Sequence, residues 1–142
     1  MSATTGTLRG VTAPLPRRAL RSAGAVFAGL LAIVVLSTAT DAVLHATGVY
    51  PPFPQRMADS LFVLAAAYRV VYGVGAGYVT ARLAPRSPTA HALALGGVGV
   101  VLSTAGAVAM GAYGPAWYSL ANVAIALPCA WAGARLHARR AR

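Results

Sequence analysis

A chain of 142 residues that is 58% hydrophobic and only 10% charged, with a mean hydropathy of +0.65, is too apolar for an ordinary water-soluble domain, where about 25% of residues are charged. Twelve arginines face only two acids, Asp41 and Asp59; there is no lysine, and the formal charge is +10. One cysteine excludes a disulfide scaffold. Arginines that flank apolar runs, with no aromatic-interleaved basic stripe, argue against a nucleic-acid partner.

Residues 1–21 carry Arg9, Arg17, Arg18 and Arg21 among proline, glycine and small polar residues, and are expected to form a disordered basic cytoplasmic tail. Residues 22–40 then hold no charge, and the apolar character continues to about Thr47, enough for a helix over 23–47 that crosses a core of roughly 30 Å. A cleavable signal peptide is the rival reading. Its apolar region is about 7–15 residues, shorter than this run, and Ser37-Thr38-Ala39 is a weak cleavage site. Gly48 and the Pro51, Pro52, Pro54 cluster end the first span. A second helix is expected over 58–82, interrupted only by Asp59 and Arg69 and closed by Arg82 and Pro85. Residues 87–134 contain no charged side chain. As one helix they would extend about 72 Å, so they must cross twice, and Gly111, Gly114 and Pro115 mark the break. Helices 89–111 and 115–135 follow, and 137–142 form a basic cytoplasmic tail. The expected fold is an all-α membrane protein with four transmembrane helices in a four-helix bundle, domain 22–136.

With four spans, ten of the twelve arginines fall on one side and Arg56 alone on the other. The positive-inside rule then places both termini in the cytoplasm of a bacterial inner membrane. Anionic lipid head groups are the expected contact of the arginine-rich tail. Trp117, Tyr118, Tyr50 and Tyr113 fall at the opposite interface, where an aromatic belt belongs.

The two halves share fragments in the same order. Val34–Ala39 recurs as Val100–Ala105, Gly48-x-Tyr50-x-Pro52 as Gly111-x-Tyr113-x-Pro115, and Ala81-Arg82-Leu83 as Ala134-Arg135-Leu136. This suggests two parallel-repeated helical hairpins. Small residues also recur at a stride of four: Gly73, Gly77 and Ala81; Gly99, Ser103, Ala107 and Gly111; Ala126, Ala130 and Ala134. Such rows permit close helix packing within the bundle, or in a homodimer.

Polar residues inside the spans are the candidate site. Asp41 and His45 share one face of helix 1 at i, i+4. Arg69 stands about 16 Å into helix 2, near the midplane, and heads the row through Gly73 and Gly77. It needs an acceptor, and Asp41 is the better placed of the two carboxylates. Tyr68 and Tyr72 flank Arg69, and Asn122 on helix 4 is a further partner. The glycine row is expected to face helix 1, which would bring Asp41 within reach. Asp59 is expected to cap helix 2. Asp41, His45 and Asp59 could form a mixed N/O metal site, but the ligand set is thin, and the expectation is no metal and no cofactor. Cys129 is a packing residue, and no nucleophile–base pair points to an enzyme.

The segments Asp41…His45-x-x-Gly48, Tyr68-Arg69, Gly77-Tyr78-x-x-Ala81-Arg82-Leu83-Ala84-Pro85, His91-Ala92 and Gly114-Pro115-x-Trp117-Tyr118 resemble small, uncharacterised four-span bacterial membrane proteins. That resemblance implies the fold and no activity. Three better-known four-span families do not fit. The glycine–threonine–phenylalanine segment of fluoride channels, the cysteine pair of vitamin K epoxide reductases and the glutamate of small multidrug exporters are all missing. The function expected is a non-enzymatic structural or accessory subunit. A small transporter or channel using Asp41, His45 and Arg69 is the alternative, and a membrane enzyme ranks third.

Overall fold

The computed structural model describes residues 15–142 and is all-helical among them. Helix α1 spans Leu15–Ala46, α2 Asp59–Leu83, α3 Pro88–Met110 and α4 Ala116–Arg140, with a 3-10 turn at Gly111–Tyr113 before α4. All four are long and apolar enough to cross a membrane. The chain breaks where backbone chemistry requires it. Gly48 takes φ +75°, which costs glycine little, and turns the chain so that the Tyr50 N–H bonds back to the Leu44 carbonyl at 2.9 Å. Pro88 opens α3, where an N–H would have no helical acceptor.

Two expected boundaries move. Residues 15–21 are helical and not part of a tail: alanine, leucine and arginine favour helix, and Pro16 falls in the first turn, where its missing N–H costs nothing. The remainder of the expected tail, 1–14, lies outside the described residues. At the other end α4 continues to Arg140, taking in most of the tail expected over 137–142, with basic side chains complementing the helix C-terminus.

Helices α1 and α2 are antiparallel neighbours, as are α3 and α4, and α2 and α4 run parallel in the most extensive interface of the bundle. For reference, the tyrosine end carries the Tyr50 and Tyr113 connections; the arginine end carries the α2–α3 connection and the α4 C-terminus. Near the arginine end the backbones come close. A Cβ on Gly77 would fall on the Ala130 backbone of α4, and one on Gly133 would fall on the backbone of Val74, Gly77 and Tyr78. Only glycine at both positions allows this approach. Ala81, Ala92 and Ala134 seal the same end as a buried cluster.

The Gly73–Gly77–Ala81 row therefore packs chiefly on α4, and not chiefly on α1 as its spacing with Arg69 suggested: a Cβ on Gly73 would lie 3.0 Å from Cys129 Cβ of α4, with Ile33 of α1 at 3.8 Å. Helix α1 meets an adjacent strip of α2 instead, where Gly29 nestles against Ala76 and Thr80. On α3 the expected row divides. A Cβ on Gly99 would lie 3.2 Å from Ala126 Cβ, and Gly96 packs on Leu127 and Ala130. Ser103 and Ala107 line a cavity, and Gly111 is exposed beyond the helix with nothing near it. The outward faces carry large exposed apolar side chains, among them Val35, Val71, Val101 and Val108.

Candidate functional site

Arg69 heads two strips of α2 at once, one facing α1 and the other α4. Its Nη2 donates to Asp41 Oδ2 on α1 at 2.9 Å. Its guanidinium also lies 5.6 Å from the Tyr118 ring of α4 and 5.5 Å from that of Tyr68, distances at which an aromatic face attracts a cation. The second oxygen of Asp41 accepts the Tyr68 hydroxyl. Because the Tyr68 proton is used there, Tyr50 donates in the 3.3 Å contact between the two tyrosine hydroxyls. A directed chain results, from Tyr50 to Tyr68 to Asp41, with Arg69 on the opposite oxygen.

Tyr72 reaches Thr40 Oγ1 at 2.8 Å. Thr40 gives its only proton to the Leu36 carbonyl, so Tyr72 is the donor there. Tyr72 thus ties α2 to α1 beside Asp41 without touching the carboxylate. Tyr50 is only 3% exposed. The turn at Gly48 folds it onto the end of α1, where protein covers the ring. Tyr118 likewise turns inward, 5.0 Å from the Phe62 ring. Neither Tyr50 nor Thr40 was expected at the ion pair. The available signals were the adjacency of Thr40 to Asp41 and a glycine two residues before Tyr50.

Several expected members stand apart. His45 is exposed and lies edge-on to Tyr50 at 5.3 Å, with no hydrogen bond to Asp41. Asn122 donates to its own helix, at Tyr118 O, 2.8 Å away, and not to the ion pair. A mid-helix amide is well placed to bond the carbonyl one turn back. Asp59 is the first residue of α2 and makes no side-chain cap. It forms an exposed 3.9 Å pair with Arg56, of a kind that contributes little. Among the described residues no three of His, Cys, Asp and Glu come together, so Asp41, His45 and Asp59 do not assemble a metal site.

Beside the ion pair lies a cavity of about 600 Å³ reached by all four helices. Asp41, His45, Arg69, Ser103 and Asn122 line it, and toward the arginine end its wall becomes apolar. No protein-family model, curated protein or solved structure matches this chain.

Proposed function

We propose that this chain is a non-enzymatic integral protein of a bacterial inner membrane, a structural or accessory subunit whose Asp41–Arg69 cluster locks α1 to α2. The observation that carries this reading is that both oxygens of Asp41 have a partner. Both of its oxygens are engaged across the α1–α2 interface, by Arg69 and by Tyr68, as suits a half-buried carboxylate that holds two helices together. Four apolar helices with outward-facing valines and leucines support the membrane setting. The arginine asymmetry supports cytoplasmic termini. Contacts between Gly29 and Leu95 and between Gly73 and Cys129, which pair α1 with α3 and α2 with α4 in parallel, favour two repeated hairpins. At the arginine end Arg135 stacks on Trp131 at 4.8 Å, an arrangement suited to anionic head groups at the interface.

A double-mutant cycle tests the structural role. Asp41→Asn and Arg69→Gln should each lower the melting temperature in detergent, and together they should cost clearly less than the sum. Additive losses would remove the reading. The cavity supports a second reading, a small transporter that opens at Ala81, Ala92 and Ala134. On that reading Asp41→Asn abolishes ion flux in proteoliposomes while the melting temperature stays unchanged.

A further inference from the structure

Arg69 directs only one of the five N–H bonds of a guanidinium at Asp41, and no other hydrogen-bond acceptor meets it among the described residues. Asp41 has no oxygen left over. The pair is neutral in sum, yet it keeps unused donors, and Arg69 lines the cavity. Asn122, on the same cavity, gives its amide nitrogen to Tyr118 and leaves its side-chain oxygen without a donor among the described residues. From Arg69 to Ala76 the wall follows α2 for about 10 Å. Leu30, Ile33, Leu95, Ile125 and Ala130 surround that stretch. A volume of about 600 Å³ falls within the range of small-molecule sites, which are mostly apolar with a few converging polar groups.

We infer that this cavity binds an uncharged amphiphile whose head carries a carbonyl or ester oxygen and a hydroxyl. The carbonyl oxygen accepts from Arg69, the hydroxyl donates to the Asn122 side-chain oxygen, and the tail occupies the apolar chamber below them. The charge balance selects the class. Asp41 already offsets Arg69, so a carboxylate or phosphate head would stand uncompensated beside a second anion in a low-dielectric site. A cationic head would meet the guanidinium of Arg69, whose unused donors face the cavity and repel it, while both oxygens of Asp41 already have a donor. The inference needs only the cavity and the unused donors, and does not rest on the subunit reading above.

Photo-crosslinking in lipid nanodiscs tests it. The probes are a monoacylglycerol and a fatty acid of equal chain length, each with a diazirine at the chain end, and labelled positions are read by peptide mass spectrometry. The monoacylglycerol should label Leu95, Ile125 and neighbouring cavity residues about tenfold more than the fatty acid does, and unlabelled monoacylglycerol should compete. Ser103→Trp puts an indole into the cavity from α3, a helix that contributes nothing to the ion pair; it should abolish that labelling at an unchanged melting temperature. Arg69→Gln should weaken it by about tenfold, the effect of one hydrogen bond to a charged donor. Where Arg69→Gln fails to fold, Ser103→Trp carries the test. Labelling confined to outward residues such as Val101, Val108 and Leu120 would overturn the inference. So would equal labelling by the two probes, full labelling of Ser103→Trp, or crosslinks joining the cavity residues of two chains, which would mean that a second copy fills the space.

Discussion

Each oxygen of Asp41 has one donor, and the two donors differ in what their loss leaves behind. Tyr68→Phe strips a hydrogen bond from a carboxylate inside the bundle and should cost about 1–3 kcal/mol, read as a drop in melting temperature. Tyr50→Phe removes only a long contact between two neutral hydroxyls and should cost about 1 kcal/mol or less. If both variants melt alike, the directed chain from Tyr50 to Asp41 does not organise the site. Arg69→Lys should not restore stability, because an ammonium lacks the planar fork that reaches Asp41 and the two tyrosine rings together. Thr80 makes the opposite case. It is fully buried against Gly29, and its hydroxyl has no acceptor or donor among the described residues. Thr80→Val keeps the shape and deletes an unpaired polar group, so it should leave the protein as stable or raise its melting temperature. A clear loss would point to a partner that the hydroxyl finds in the membrane.

Among the helices, the α2–α4 interface depends on two glycines that face each other across bare backbone. Gly77→Val or Gly133→Val should cost at least the upper part of the about 1–3 kcal/mol typical of overpacking, since backbone cannot rotate aside as a side chain can. Gly75→Val, on the exposed face of the same helix with nothing within 4 Å, should change stability by about 0.5 kcal/mol or less. Equal effects at Gly75 and Gly77 would contradict the packing. Helix number and breaks were readable in the sequence because charge-free length, prolines and glycines bear on one chain segment at a time. The neighbour of each row was not. Arg69 and Gly73 share a stride of four, but a helix turns about 100° per residue, so a long arginine side chain reaches α1 while the glycine below it meets α4. The start of α1 was missed for a related reason: arginine marks a membrane boundary without ending a helix. The Asp41–Arg69 pairing was legible because so few carboxylates compete. Tyr50 was hidden because its burial depends on the turn at Gly48.

At the scale of the whole molecule the bundle is closed at one end and hollow toward the other. The proposed orientation turns the hollow part away from the cytoplasm. Reporter fusions at both termini and after Pro54 test this: cytoplasmic activity at the two ends and periplasmic activity in the α1–α2 connection are expected. The reverse pattern would invert the molecule and move its cavity to the cytoplasmic leaflet. The ion pair, finally, bears on biogenesis. Asp41 and Arg69 both belong to the first hairpin, so the two charges can meet while the ribosome is still making α3. A lone arginine or aspartate at the centre of a span costs about 2.5–3.5 kcal/mol on insertion scales. On the proposed membrane setting, the translocon would instead receive a hairpin whose two charges can match. A nascent chain stopped after Pro85 should therefore integrate as efficiently as the full protein, and Asp41→Asn in that truncated chain should leave α2 partly uninserted.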